Sequence, residues 1–319
     1  MLKKFIIAAV VIVGLPLFFI SRNGGVPQIP LSEESKEKDE ISIIFVGDIM
    51  LSREVGRIME RKGVNFPFEM VAERIRQADI AFGNLENPVS ERGLNQGSVY
   101  SFRAKPEVIG GLIFSGFDVL SVANNHIFDW GADAFLDTIS LLRSAGITPV
   151  GGGADTNEAR RPAIVNRGGM RACFLAYSEF AGSSDGAEPK VAGLNHKEML
   201  DDISKMKDEC SLVVVSIHWG EEYETSASES QRSRALAMVD AGAKLVVGHH
   251  PHVIQEVEMY KGSLIAYSLG NFVFDQNFSE ETGKSLMLEV TIKGSDISEF
   301  RRTTVKFNNE FQPYFEGEV

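Results

Sequence analysis

Cysteine is nearly missing from this 319-residue chain. Cys173 and Cys210 are the only two, and neither sits in a C-x-x-C or related spacing, which excludes a metal site built on thiolates. Cys173 lies inside the strand-like run Ala172–Tyr177, and Cys210 immediately precedes the apolar run 211–215. They read as two buried thiols in neighbouring strands, packed as small hydrophobes, with a disulfide open to them only outside the cytoplasm. Positive charge is also in deficit. Lys and Arg total 32 against 44 Asp and Glu, a net charge of −12. A surface this acidic argues against nucleic-acid binding, which needs basic patches over phosphates. An anionic substrate would need local compensation from a metal or from Arg and Lys. There is no internal repeat. Hydrophobic content of 44% and charged content of 24% are those of an ordinary globular protein.

Histidine is scarce too, but it is not scattered. Of six, three fall in Gly248-His249-His250-Pro251-His252, just past the apolar run 243–247. Two more, His126 and His218, follow apolar β-like runs, and His196 alone does not; it reads as a surface residue. A His-x-His pair beyond a strand end can aim two imidazoles at one metal ion, and neutral imidazole is the commonest ligand for borderline transition metals.

The amino terminus carries the one long apolar run. Lys3 and Lys4 precede sixteen uncharged residues, Phe5 to Ile20. A basic flank before such a run marks a secretory signal or a signal anchor. The small-x-small cleavage pattern is poor, which favours a single-pass anchor in the cell membrane over a secreted, cleaved product; either places the rest of the chain outside the cytoplasm. Residues 1–22 form this segment, 23–40 a polar linker rich in Gly, Pro and charge, 41–307 the folded domain and 308–319 a C-terminal tail.

Within the domain, strands and helices alternate, and the strands end in polar residues. The expected strands are 41–46, 80–82, 118–122 and 212–217, with helices near 52–61, 68–77, 106–114, 132–144, 196–207 and 229–240. This is the rhythm of a parallel α/β sheet, whose ligands bind beyond the carboxyl ends of the strands. Residues 161–177 read as a hairpin turning at Arg167-Gly168-Gly169. The end of the chain is strand-rich, at 253–259, 264–268, 285–292 and 300–307. Two sheets packed face to face and flanked by helices are expected.

Five strand ends carry ligand-type side chains: Asp48; Glu86 with Asn84 nearby; Asn125 and His126; His218; and His250 with His252. Carboxylate, carboxamide and imidazole together suit one or two divalent ions of Mn, Fe or Zn. A bridging carboxylate holds two cations together, and a histidine not bound to metal can protonate a leaving group.

The ordered motifs Gly47-Asp48-Ile49-Met50, Gly83-Asn84-Leu85-Glu86, Ala123-Asn124-Asn125-His126, His218-Trp219-Gly220, Gly248-His249-His250-Pro251-His252 and Ser268-Leu269-Gly270-Asn271-Phe272 resemble the CapA family over roughly residues 42–275. That family is associated with poly-γ-glutamate capsule synthesis and belongs to the calcineurin-like metallophosphatase superfamily. The resemblance implies a four-layer α/β/β/α metallophosphoesterase-like sandwich with a two-metal site. By the same resemblance, Asp48, Glu86, Asn125, His218, His250 and His252 would be metal ligands, Glu86 standing where an aspartate bridges, and His126 would assist catalysis. Met50 departs from the pattern: it holds the place of a histidine ligand and is a poor ligand for hard ions, so that position would be weakened, lost, or completed by His249 or another residue.

Further candidates are each balanced by a plainer role. His249 is a ligand, a second donor or a buried polar group; Asn84 a site residue or a helix cap; Glu222 a substrate contact or a loop residue; Asn271 a ligand-orienting group or part of a tight strand exit; Arg53 an anion contact or a solvated helix start. The first expectation is an extracytoplasmic, membrane-anchored, metal-dependent hydrolase of cell-envelope polymer biosynthesis, acting on an anionic polymer or phosphoester. The alternatives are a non-catalytic partner of a membrane synthase or export complex with a vestigial site, and a general phosphoesterase.

Overall fold

In a computed structural model of the protein, residues 38–181 and 188–316 are described. The expected anchor, 5–20, lies outside them; among the described residues no helix is long and apolar enough to cross a membrane.

The first half of the chain builds a parallel sheet. β1 (Glu40–Ile49) leads through α1 (Arg53–Lys62) and α2 (Ala72–Gln77) to β2 (Ile80–Leu85), then through α3 (Ile109–Ser115) to β3 (Val119–Ser121), and through α4 (Gly131–Ser144) to β4 (Thr148–Val150). The helix expected over 68–77 is shorter because Pro67 opens a separate 3-10 turn, Phe66–Phe68, before α2. A short ribbon follows, β5 (Gly152–Gly153), with α5 (Thr156–Ala159) beside it; its partner strand comes later in the chain.

The second sheet starts with the hairpin β6 (Ala163–Arg167) and β7 (Met170–Ser178), turning at two glycines with φ of 53° and 87°, a geometry that favours glycine. β8 (Lys190–Val191) pairs antiparallel with β5. α6 (His196–Glu209), capped by Asn195, leads to β9 (Leu212–His218). α7 (Glu229–Ala241) starts with a capping box in which Ser228 and Gln231 satisfy each other's backbone N–H groups. It returns the chain to β10 (Leu245–His249), followed by β11 (Val257–Tyr260) and β12 (Ser263–Ala266). β13 (Asn271–Val273), β14 (Lys284–Lys293), β15 (Asp296–Phe307) and β16 (Pro313–Phe315) then go back to the first sheet. The expected tail thus supplies a strand, and the expected strand 253–259 is ordered as β11 only from Val257.

The strand orders are β16-β15-β14-β1-β2-β3-β4, with β13 also on β1, and β11-β12-β10-β9-β7-β6. One apolar cluster, including Phe45, Phe82, Phe174, Val214 and Leu245, draws on both sheets and fills the space between them. A second packs the outer face of the first sheet under α1 to α4, and a third packs the outer face of the second sheet under α6 and α7. Helices, sheet, sheet, helices make the four layers. The alternation of side chains in a strand explains this: both faces of β9 and β10 are buried, so their sequences run continuously apolar.

Cys173 and Cys210 are bonded to each other, Cα atoms 6.0 Å apart. This corrects the expectation of two free thiols. β7 and β9 are parallel neighbours, with Ala172 opposite Leu212 and Cys173 opposite Val213. Cys210 therefore enters β9 beside Cys173, within disulfide reach.

Candidate metal centre

Strand register assembles the site. Asp48, near the end of β1, lies opposite Asn84 of β2 on one side and Asn271 of β13 on the other. In the second sheet His218 lies opposite His249, each the last residue of its strand. The carboxyl ends of the central strands thus face one another, and Glu86, just beyond β2, enters between them. Asp48, Asn84, Glu86, His218, His249, His250, His252 and Asn271 are all buried.

Close backbone approach makes room for this. A Cβ on Gly248 would lie 1.9 Å from the Tyr267 carbonyl oxygen, and one on Gly47 1.9 Å from that of Gly270. His250 and His252 adopt φ of 96° and 59°, in the region that disfavours side chains. Such backbone strain persists only where surrounding structure fixes it, and it collects at functional sites.

Two triads of ligand atoms form, each within 4.8 Å: Asp48, Glu86 and His218; and Glu86, His250 and His252. Glu86 belongs to both. Its Oε1 lies 3.6 Å from His252 Nε2 and 4.0 Å from His218 Nε2, yet among the described residues it has no hydrogen-bond partner, and neither do the two ring nitrogens of His249 or Nδ1 of His250. Orphaned buried polar atoms call for an explanation. A converging carboxylate and imidazoles fit divalent transition-metal ions.

The remaining polar groups hold this set in place. Asn84 donates to Asp48 Oδ1 at 2.9 Å and to Glu86 Oε2 at 3.2 Å. Asn124 in turn donates to Asn84 Oδ1 and to the Leu85 carbonyl. His252 Nδ1 pairs with Asn271 Oδ1 at 2.9 Å, and His218 Nε2 with Asn125 Oδ1 at 2.8 Å. His249 Nδ1 is 3.2 Å from Asp48 Oδ1, within charge attraction but off the line of a hydrogen bond.

Burial alone would raise the Asp48 carboxyl, but His249 and His252 beside it hold it well below the usual carboxylate value. Glu86 goes the other way: burial first, then the charges of Asp48 and Glu222, push it well above. Burial and neighbouring His250 push His218 well down, and burial with His252 brings His250 to about 3. At neutral pH these two imidazoles are unprotonated, the form that binds metal.

Other candidates lie further out. Met50 is fully buried in the apolar cluster, its sulfur accepting from the Ser52 N–H, so it takes no place among the ligand atoms. Glu222 is exposed. Arg53 is paired with Asp275 at 3.0 Å and sits over the Phe102 ring, which packs on His126 at 4.0 Å. His196 is exposed at the start of α6, as expected. The sequence reading missed Asn124, Asp129 and Phe180. Asp129 accepts from His126 Nδ1 at 2.8 Å; an acid three residues past a candidate histidine was the available signal. Phe180 packs on His250 at 4.2 Å, and nothing in its sequence context pointed there.

A sandwich of two sheets here gathers carboxylates and imidazoles at its strand ends, a donor set that could hold divalent metal ions. Residues 42–276 match the family described as Bacterial capsule synthesis protein PGA_cap, and the chain belongs to that family. It is 36% identical over 263 residues to the capsule biosynthesis protein CapA of Bacillus anthracis, covering 79% of this chain and 64% of that protein. It is 34% identical to the PGA biosynthesis protein CapA of Bacillus subtilis (strain 168), covering 84% and 72%. The chain therefore spans slightly less than two thirds of the first of these relatives. A crystal structure of a hypothetical protein from Thermus thermophilus superposes with a TM-score of 0.54 at 16% identity, over 83% of this chain and 99% of that one. At that identity the likeness speaks for the fold.

Proposed function

We propose that the protein is a metal-dependent hydrolase of capsule or poly-γ-glutamate biosynthesis, held at the outer face of the membrane by residues 5–20. The observation that carries it is Glu86 Oε1, buried, unpartnered and shared by two ligand triads. In this reading Asp48, Glu86 and His218 hold one ion, and Glu86, His250 and His252 the other, with Asn125 as a further ligand. Bound divalent ions would supply Lewis acidity and activated water. Mn, Fe and Zn all suit the donor set.

The chain's own residues do the rest. His126 directs its Nδ1 hydrogen at Asp129, which leaves Nε2 to exchange a proton with the leaving group of a phosphoester or amide-type bond. Phe180 covers His250 and limits water there. The names of the relatives support an anionic capsule polymer as the context.

Plasma mass spectrometry of the purified full chain tests the metal. One or two transition-metal equivalents, lost in His250→Ala/His252→Ala, are expected. A folded wild type that takes up no added Mn, Fe or Zn would remove the hydrolase reading. A second reading is a non-catalytic subunit of a membrane synthase or export complex. Met50 favours it, since the place of a histidine ligand is filled by a side chain turned into the core. Normal polymer formation in cells carrying Asp48→Asn would decide for it.

A further inference from the structure

Lys190 lies in β8, outside the metal centre. It is 8% exposed, and its ammonium has no hydrogen-bonding partner among the described residues. A buried ammonium without a counter-charge is unfavourable, and proteins almost always pair it. Lys190 lines a cavity of about 570 Å3, a volume suited to a small ligand. The other charged groups on the wall are already matched. Arg160 pairs with Asp202 at 2.8 Å and Glu198 at 3.3 Å. Arg234 pairs with Glu179 at 2.5 Å. Among the described residues, Lys190 is the one charged side chain on this wall without an ion pair.

We infer that this cavity is a carboxylate-binding site, with Lys190 supplying the counter-charge. A single unpaired ammonium fits a monoanionic carboxylate. A phosphate dianion would place a second negative charge beside Glu179 and Glu198 with nothing to balance it. The lysine stem is flexible, so a modest swing brings its ammonium to a carboxylate in the cavity. The location connects the cavity to the metal centre. Glu179 and Ala181 line the cavity, while Phe180 between them packs on His250. A chain bearing a carboxylate on each unit can be gripped at Lys190 while another part of it lies at the metal centre. The proposed function enters only through that last step and the choice of probe.

The test is calorimetric titration of the full chain, stripped of metal by chelation, with a γ-linked glutamate trimer. Without metal, binding reports the cavity and not the metal centre, so hydrolase activity can fail while this site stands. The wild type is expected to bind the trimer, Lys190→Met to bind it at least tenfold more weakly, and Lys190→Arg to retain binding. The fully amidated trimer should not bind, and inorganic phosphate should not compete. Ligand-free Lys190→Met should melt no lower than the wild type, because it removes an unpaired buried charge; this separates lost binding from lost folding. No trimer binding by the wild type, equal binding by Lys190→Met or by the amidated trimer, or competition by phosphate would each overturn the inference.

Discussion

His126 donates its Nδ1 hydrogen to Asp129 across 2.8 Å, and the same carboxylate accepts from the Phe102 N–H and the Ser98 hydroxyl. Asp129 is 3% exposed. An acceptor so fixed selects one tautomer of the imidazole and one orientation of its ring. Asp129→Asn keeps the shape but offers an amide that can donate to Nδ1. If His126 transfers a proton, hydrolysis should fall by about 10²-fold or more, with metal content unchanged. A stopped-flow or steady-state assay beside mass spectrometry of the same preparation checks both, and equal turnover would place Asp129 in loop packing alone.

Glu86 gives the metal-free protein a pH signature. Its carboxyl is raised well above 4.5 by burial first and by Asp48 next. The folded state therefore keeps a proton that the unfolded chain loses above about 4.5. Stability from this group is present below that pH and declines as pH rises toward the folded value. His250, brought to about 3, and His218, pushed well down, act in the opposite sense below the unfolded imidazole value of about 6.5 and are level above it. Subtracting the melting curve of Glu86→Gln from that of the wild type between pH 5 and 8 removes the imidazole part. The metal-free wild type should lose stability relative to the variant as pH rises. A flat difference would mean that Glu86 ionises freely in the folded protein.

The main strands and the packing of two sheets between helices were legible because the physics is local. Continuous apolar runs such as Val213–Val215 and Leu245–Val247 announce strands buried on both faces, and the polar residues just past them mark the ligand edge of a parallel sheet. Asp48, Glu86, His218, His250 and His252 come together for that reason. Short pieces stayed hidden. β5, β8, β13 and β16 have two or three residues each, too few to show a period. The placement of Met50 was equally out of reach: whether a side chain next to a ligand faces the ions or the core depends on the bulge between Asp48 and Ile49, which no spacing reveals. The disulfide depended on β7 lying next to β9, a fact of tertiary pairing.

Gly248 is a steric requirement. Its absent Cβ would lie 1.9 Å from the Tyr267 carbonyl oxygen and 2.6 Å from Trp219 Nε1, which donates to that same carbonyl at 2.9 Å. Gly248→Ala must push β10 from β12 or break the indole hydrogen bond. Destabilisation of about 1–3 kcal/mol is expected for such overpacking, read as a lower denaturant midpoint. Because His249 and His250 follow directly, metal affinity should fall with it. A variant of wild-type stability and metal content would show that the strand yields easily.

The disulfide between Cys173 and Cys210 closes a separation of 37 residues that contains all of α6. Cross-linking a loop of that size stabilises a protein by about 2–4 kcal/mol, chiefly through the unfolded chain. Cys173→Ser/Cys210→Ser should therefore lose about that much in equilibrium denaturation. Metal content should stay intact in native conditions, because the bond joins the amino-terminal half of β7 to the entry of β9 while the ligand His218 sits at the far end of β9. Loss of metal together with stability would mean that the register of β7 on β9 is set by this bond rather than by the apolar faces that pack around it.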